Sequence, residues 1–237
     1  MRKNILITGP IRSGKSTVLR GVIEKFDKKV GFVTEEVIKE GKRAGFEMKT
    51  SFGDKKVLAH IDLKTSFRVA RYFVDINNLE KVVKDILSFS DSSLLYLDEI
   101  GQMQLYSNRF KALVTKFLDS SNVCIATISA VFDDNFINEI KKREDVILVK
   151  VSPENREEKI EFVKKLIGKI EKAKKYLLEK ERFTSKDFGV ELKSEHGIRE
   201  ITVNDGRGSC NCSFFISNKI CSHVIATEEY IKLTRFV

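Results

Sequence analysis

The stretch that decides the fold reads GPIRSGKS and occupies residues 9–16. Its spacing, G-x-x-x-x-G-K-[ST], is that of a loop whose backbone amides enclose phosphate groups. A short run rich in β-branched residues precedes it at residues 4–8, and apolar residues at helical spacing follow over residues 16–26. Strand, glycine-bounded loop and helix N-terminus together form the context in which this pattern binds a polyphosphate.

We expect this loop to hold a nucleoside triphosphate together with Mg²⁺. Lys15 would reach the β- and γ-phosphates, and the Ser16 hydroxyl would bind the cation. The glycines allow the amides to turn toward the phosphates, and the helix N-terminus adds partial positive charge. The predicted nucleotide contacts are Gly9, Pro10, Ile11, Arg12, Ser13, Gly14, Lys15, Ser16 and Thr17.

A second motif, LLYLDEIG, ends an apolar run with two acidic residues, Asp98 and Glu99. In phosphate-loop proteins a carboxylate at the end of such a strand holds Mg²⁺, usually through water. We therefore expect Asp98 to be a second Mg²⁺ ligand and Glu99 to orient or deprotonate an attacking water. An acidic pair at a strand end can also be solvated and idle, and the preceding loop favours the catalytic interpretation.

Helices and strands alternate along the first 170 residues. Besides the elements that flank the loop, the predicted strands are residues 29–36, 93–97, 123–128 and 146–151. The predicted helices are residues 77–89, 110–118, 135–143 and a long charged one from about Pro153 to residue 180. We interpret residues 41–46, which contain two glycines, as a turn. This alternation predicts a parallel sheet with right-handed crossovers.

The pattern changes after residue 180. Residues 183–203 alternate as short antiparallel strands do, and a helix is predicted over residues 221–233. We predict three segments: a nucleotide-binding domain at residues 1–170, a helical linker at 171–180 and a small domain at 181–237. The predicted fold class is thus α/β with a parallel sheet, plus a small C-terminal α+β domain.

Composition favours a cytoplasmic protein. The sequence has no uninterrupted apolar stretch of membrane-spanning length, its N-terminus does not resemble an export signal, and it has only four cysteines. We therefore expect a reducing compartment and no membrane partner. The net charge of +9 is spread along the first 180 residues, so it does not by itself indicate nucleic-acid binding.

Three of the four cysteines and one histidine lie within fourteen residues near the C-terminus. They are Cys210, Cys212, Cys221 and His223, spaced C-x-C-x8-C-x-H. Three sulfurs and one imidazole make a complete tetrahedral ligand set, so we predict a closed, structural Zn²⁺ site without chemistry of its own. Buried reduced thiols beside a helical histidine are the alternative. Cys124 lies in an apolar run and is assigned to the core.

Five stretches in order resemble the thermophilic nucleoside-triphosphatases and their animal relatives, the cancer-related nucleoside-triphosphatases. They are the loop, GFVTEEV with its later RAGF, RVARYFVD, DEIGQMQL and KKREDVILVKVSPENRE, which together span about residues 3–168. The resemblance implies a P-loop three-layer α/β sandwich. It also implies Mg²⁺-dependent hydrolysis of ATP, GTP and other triphosphates to diphosphate and phosphate. Arg12 departs from it, since the family has glycine there.

Phosphoryl transfer also benefits from a cation on the developing charge. Arg68 matches the Arg-Val-Gly-x-Tyr pattern of that family and is the first candidate for this role. Arg156 is the second. For both, a structural or surface arginine is the alternative interpretation.

The metal-ligand spacing resembles the SWIM-type zinc finger, and the likeness extends over residues 171–237. Its members are interaction modules for DNA or protein. Basic and acidic residues are equal in number over residues 181–237, which weakens the DNA interpretation and favours a protein partner or self-association.

Two other functions are compatible with the sequence. A small-molecule kinase would use an arginine-containing lid for its acceptor, and Arg68 and Arg71 could serve in one. A nucleotide-switched module would use hydrolysis to set how the zinc domain binds a nucleic acid or protein. The Asp98–Glu99 pair favours water as the acceptor over a kinase substrate.

Overall fold

A computed structural model describes residues 1–187, 189–204 and 206–234 of the chain. Contacts within it divide the chain into two compact units. One unit is Asn4–Glu161, and the other is Phe162–Val237 together with Met1–Lys3. The predicted linker at residues 171–180 lies closer to the C-terminus than this division. Along the part of the chain that the structure describes, no helix has both the length and the apolar character needed to cross a membrane.

The first unit is built on one sheet of nine strands. They are β1 (Asn4–Gly9), β2 (Lys29–Lys39), β3 (Lys42–Thr50), β4 (Lys55–His60), β5 (Arg68–Val69), β6 (Tyr72–Val74), β7 (Leu94–Ile100), β8 (Cys124–Ser129) and β9 (Val146–Lys150). Their order in the sheet is β5-β6-β4-β3-β2-β7-β8-β1-β9. The helices are α1 (Lys15–Ile23), α2 (Ile76–Ile86), α3 (Asn108–Asp119) and α4 (Asn135–Lys142), followed by α5 (Arg156–Leu178), which crosses into the second unit.

The parallel part of the sheet confirms the prediction. Strands β2, β7, β8, β1 and β9 pair in parallel, each with its neighbour in the order above. Their central members are almost wholly buried, as strands covered on both faces must be. The carboxyl ends of parallel strands share one edge, so the loop after β1 and the acidic end of β7 meet there.

The antiparallel extension β3-β4-β6-β5 corrects the prediction, which assigned no strand there. Residues 42–46, interpreted as a turn, belong to β3. The turn itself is Glu40–Gly41, where both residues have positive φ, of 52° and 72°. Positive φ at both central positions is the type I′ geometry that joins two twisted strands into a tight hairpin. A two-residue turn leaves no room for the longer loop that the glycines suggested.

Helix α2 shows how the core forms from sequence pattern. Its apolar stripe, Leu79, Val82, Val83 and Ile86, is buried against the sheet. Asp75 begins the helix, because its carboxylate accepts a hydrogen bond from the Asn78 amide at 2.9 Å. The helix ends three residues before the predicted residue 89.

The second unit has α5 and a small antiparallel sheet. Among its described residues, the sheet contains β10 (Phe183–Lys186), β11 (Gly189–Ser194), β12 (Gly197–Asn204) and β13 (Arg207–Cys210), in that order. A short helix α6 (Ser213–Asn218) and helix α7 (Ser222–Thr234) follow. This α+β arrangement agrees with the predicted short strands and final helix, and α6 is an addition.

Candidate functional site

The loop between β1 and α1 depends on close backbone approach at two glycines. A Cβ on Gly14 would lie 2.2 Å from Nε of Arg156, and one on Gly9 would lie 2.3 Å from the Val151 carbonyl oxygen. Gly14 also has a φ of +96°. Arg12, at the position where the resembling family has glycine, keeps a left-handed φ of 64° at a cost of about 1 kcal/mol. The loop shape is thus retained despite the arginine.

Arg156, at the start of α5, is hydrogen-bonded to the backbone of the phosphate loop. Its Nε donates to the Ser13 carbonyl at 2.9 Å, and its Nη2 donates to the Arg12 carbonyl at 3.1 Å. Because two of its N–H groups bind backbone carbonyls, Arg156 acts as a positioning group. The Glu-Asn-Arg sequence after β9 thus supplies the arginine that positions the loop.

Asp98, near the end of β7, is buried and hydrogen-bonded through only one carboxylate oxygen. Its Oδ1 accepts from the Ser16 hydroxyl at 2.8 Å and from the Thr127 hydroxyl at 2.7 Å. The Thr34 hydroxyl donates to its backbone carbonyl. The other oxygen, Oδ2, is buried without a hydrogen-bond partner. Burial raises the pKa of Asp98, and the two hydroxyl donors oppose that shift.

This donor set fits a hard divalent cation. A carboxylate oxygen without a partner and a nearby serine hydroxyl are oxygen ligands of the kind that Mg²⁺ prefers. A buried anionic oxygen without a counter-charge is otherwise unfavourable. The structure therefore brings together the two residues that the sequence predicted as ligands of one ion.

Replacing Asp98 with asparagine should stabilise the protein in the absence of nucleotide and magnesium. The amide oxygen can still accept from Ser16 and Thr127, while the buried charge is removed. Because burial raises the pKa of Asp98, wild-type stability falls as pH rises through that folded-state pKa, and the variant lacks this fall. We expect a gain of about 1–2 kcal/mol, or roughly 2–6 °C in Tm, near pH 7.

Thermal unfolding in magnesium-free buffer at several pH values measures this effect. The control is Asp62→Asn, since that carboxylate is 61% exposed and pairs with Lys39. An Asp98→Asn Tm equal to or below that of the wild type would contradict the interpretation that burial makes the charged form of Asp98 unfavourable.

Glu99 and the loop line a cavity of about 370 Å³. Burial raises the pKa of Glu99, the Lys15 ammonium lowers it and Asp98 raises it. Nζ of Lys15 donates to the carbonyls of Gly9 and Pro10, each at 3.2 Å. The predicted nucleotide contacts that line the cavity are Gly9, Ile11, Arg12, Gly14, Lys15, Ser16 and Thr17, whereas Pro10 and Ser13 do not.

The structure does not bring Arg68 to this cavity. Arg68 lies in β5, the outermost strand, and six strands separate β5 from β1 in the sheet order. Its Nε donates to the Ala70 carbonyl at 2.7 Å, and its guanidinium lies 5.4 Å from the ring centre of Phe73. The Arg-Val-Gly-x-Tyr pattern that suggested Arg68 identifies a position in the sequence. It does not indicate where in the sheet that position lies.

Sequence reasoning missed five other residues that line the cavity: Glu36, Arg43, Ser129, Ala130 and Val131. Glu36 had a readable signal, because it belongs to the GFVTEEV stretch that carries the family resemblance. Arg43 had the same kind of signal, since it begins the RAGF stretch of that resemblance, but the turn interpretation placed it outside any strand.

The predicted metal ligands of the second unit form one cluster. The ligand atoms of Cys210, Cys212, Cys221 and His223 all lie within 4.8 Å of one another. Sγ of Cys210 is 3.6 Å from Nδ1 of His223, and Sγ of Cys221 is 3.9 Å from it. A hydrogen bond from Cys221 lowers the pKa of Cys210 below the ordinary value of a thiol.

These separations fit a tetrahedral ion. Ligands about 2.0–2.3 Å from a shared tetrahedral centre lie roughly 3.5–3.8 Å apart, close to the measured sulfur–nitrogen distances. Two backbone amides also donate to the sulfurs: Cys212 to Cys210 at 3.5 Å and Val224 to Cys221 at 3.4 Å. Such donors stabilise thiolates in metal sites.

Comparison with known proteins agrees with this geometry over the first unit. A family model described as NTPase matches residues 4–166. The nucleoside-triphosphatase THEP1 of Thermotoga sp. (strain RQ2) is 37% identical over 154 residues, which cover 64% of this chain and 88% of that protein. The human cancer-related nucleoside-triphosphatase is 30% identical over 174 residues, covering 66% and 92%.

Two solved structures are similar as well. The crystal structure of THEP1 from Aquifex aeolicus has a TM-score of 0.59 at 29% identity and covers 69% of this chain and 98% of that one. The solution structure of the human protein has a TM-score of 0.62 at 28% identity and covers 70% and 97%. The family match ends before the Cys/His cluster. Through residues 4–166, the chain belongs to the NTPase family.

Proposed function

We propose that the protein hydrolyses nucleoside triphosphates, including ATP and GTP, to diphosphate and phosphate in a Mg²⁺-dependent reaction. The convergence of Lys15, Ser16, Asp98 and Glu99 at the mouth of one glycine-built loop carries the proposal. The names of the relatives, nucleoside-triphosphatases, support the same reaction.

The loop binds the phosphate chain in this proposal. Backbone amides of the loop residues after Pro10 and the N-terminus of α1 face the phosphates, and Lys15 exchanges its two carbonyl contacts for phosphate oxygens. Ser16 and Asp98 would hold Mg²⁺, which when bound neutralises charge on the β- and γ-phosphates.

Glu99 accepts the proton of the attacking water. The water oxygen forms a bond to the γ-phosphorus, the bond from that phosphorus to the β–γ bridging oxygen breaks, and the diphosphate leaves with the electron pair. The raised pKa of Glu99 makes its carboxylate a stronger base than a solvent-exposed glutamate.

Water, and not a bound acceptor, fits the cavity best. Arg68 and Arg71, which a kinase lid would use, do not line the cavity. Arg71 donates through Nη2 to the Arg43 carbonyl at 2.6 Å, so it is bound to the backbone of β3.

We further propose that Cys210, Cys212, Cys221 and His223 bind one structural Zn²⁺ and that residues 181–237 are a SWIM-type zinc finger. The four ligand atoms lie close together, and a unit this small needs a stabilising element such as a bound metal. Both observations support the site. Basic and acidic residues are equal in number over residues 181–237, which favours a protein partner or self-association over a nucleic acid. A nucleotide-controlled interaction is the second candidate function of the whole chain.

The test is nucleotide binding and hydrolysis by wild type and Lys15→Ala. Removing the ammonium should weaken MgATP binding about 100-fold in calorimetry, because the phosphates lose a charged donor. Lys25→Ala, an exposed lysine just beyond α1, is the matched control. Phosphate release is measured with ATP, GTP, CTP and UTP, without an acceptor and with or without DNA.

Each outcome separates the candidates. Release of phosphate without acceptor supports hydrolysis, and stimulation by an added nucleoside monophosphate supports a kinase. Stimulation by DNA supports the nucleotide-controlled module. Metal-replete wild-type protein that binds neither ATP nor GTP would overturn the proposal.

A further inference from the structure

Arg43 lies at the mouth of the nucleotide cavity, although three strands separate β3 from β1 in the sheet. The hairpin geometry explains this. Strand β2 pairs with β7 only as far as Phe32, and then continues with β3 beyond that point to Lys39. The β2–β3 hairpin therefore projects past the carboxyl edge of the parallel strands, where the phosphate loop lies.

A β-bulge turns the Arg43 side chain. Val37 pairs with Gly45, but Ile38 pairs with Arg43, so Ala44 is an extra residue in β3. In a regular strand, residues 43 and 46 would point to opposite faces, because side chains alternate. The extra residue places Arg43 and Phe46 on the same face, and bulges beside active sites commonly redirect a side chain in this way.

The redirected guanidinium is held in place from several sides. It lies 5.1 Å from the ring centre of Phe46 and 5.8 Å from that of Tyr72. Its Nε donates to the Tyr72 hydroxyl at 3.0 Å, and its Nη1 donates to Glu36 at 2.5 Å. Arginine that is both stacked and hydrogen-bonded loses little further freedom when it binds an anion.

The other cations that line the cavity are less suited to a catalytic contact. Lys15 belongs to the loop that binds the ground-state phosphates, and Arg156 donates to two loop carbonyls. The Arg12 side chain is exposed and has no hydrogen bond or ion pair among the described residues. Because electrostatic catalysis depends on a charge already held in position, Arg43 is the better candidate.

We propose that Arg43 is a catalytic residue that contacts the transferred phosphoryl group in the hydrolysis reaction. This inference rests on the proposed nucleoside-triphosphatase function. Negative charge spreads over the equatorial oxygens of that group as the bond to the leaving diphosphate breaks, and the guanidinium stabilises it there. Glu36 and Tyr72 are positioning residues, since they act by orienting Arg43.

Arg43→Ala should lower kcat for MgATP about 100-fold, with KM and the Kd of a non-hydrolysable ATP analogue changed less than about threefold. The Kd of MgADP with aluminium fluoride, which mimics the transferred group, should weaken about 100-fold. Added guanidinium ion should restore part of kcat. Arg43→Lys keeps the charge without the planar fork and should show an intermediate kcat.

Two further variants are compared with Arg43→Ala: a charge-removal control in the same hairpin and a variant of one positioning residue. Lys39→Ala removes an exposed cation, paired with Asp62, from the same hairpin, and should keep the parental kcat. Tyr72→Phe removes one acceptor but keeps the ring, and should lower kcat only several-fold. The Tm of each variant shows whether it folds. If Arg43→Ala does not fold, Arg43→Lys provides the test.

Two results would overturn the inference. One is a folded Arg43 variant with kcat within about twofold of the wild type; the other is an equal loss of analogue and aluminium fluoride binding. Loss of kcat in Arg12→Ala with none in Arg43→Ala would move the role to the loop. A wild type that neither binds nor hydrolyses ATP would instead defeat the proposed function itself.

Discussion

Glu99→Gln should lower kcat for MgATP about 1,000-fold while nucleotide affinity stays near that of the wild type. The amide keeps the size and hydrogen-bonding reach of glutamate, but it cannot accept the proton of the attacking water. General-base catalysis contributes about 10²–10⁴-fold to enzyme rates, and Glu99 is the carboxylate beside Lys15 that the proposal assigns to this step. Phosphate release under single-turnover conditions, with calorimetry for affinity, measures the two quantities separately.

The pH dependence of kcat is a second test of the role of Glu99. Burial raises the pKa of Glu99, so the fall in wild-type kcat on the acid side should begin at a higher pH than an exposed glutamate would give. Glu99→Gln should lose that acid limb. Glu139→Gln, an exposed acidic residue on α4, should retain both kcat and the limb. Full turnover by Glu99→Gln would refute the general-base assignment.

Removal of the zinc that we propose for the Cys/His cluster should unfold the second unit. Zinc binding to small finger domains is worth about 10–16 kcal/mol at pH 7, which exceeds what a core of this size supplies. Cys210 ends β13, Cys221 immediately precedes α7 and His223 lies in its first turn, so one ion would join the sheet to the final helix. Cys210→Ser should release the ion and expose residues 183–234 to protease.

Metal analysis with limited proteolysis checks this result. About one zinc per chain is expected in the purified wild type and in Cys124→Ala, because Cys124 lies in β8 of the other unit. Chelator-treated protein should show thiols that react readily at all three cluster cysteines. If the chelated protein kept its protease resistance and slow thiol reactivity, the cluster would be a set of buried thiols instead.

Short-range patterns predicted what depends on short-range geometry. Residues 9–16 set their own loop conformation, and a carboxylate at the end of a buried strand must reach the same sheet edge, so Ser16 and Asp98 meet as expected. The Cys/His spacing likewise anticipated the cluster. In each case, a few residues and one strand direction determine the outcome.

Contacts that depend on register could not be predicted. The antiparallel strands after β2 carry mixed polar and apolar residues, because their positions alternate between covered and exposed faces. Whether Arg43 or Arg68 reaches the cavity depends on strand order and on one extra residue. Neither the strand order nor the extra residue can be inferred from the spacing of the arginines in the sequence.

The bulge at Ala44 also bears on how this hairpin can change during evolution. Deleting that single residue would bring Arg43 and Phe46 two positions apart, so a regular strand without the bulge would still place both side chains on one face, with every other residue unaltered. Comparisons of related hairpins that score only amino-acid exchanges would overlook such an event. A related chain that is one residue shorter at this point can therefore keep its arginine on the same face of the hairpin.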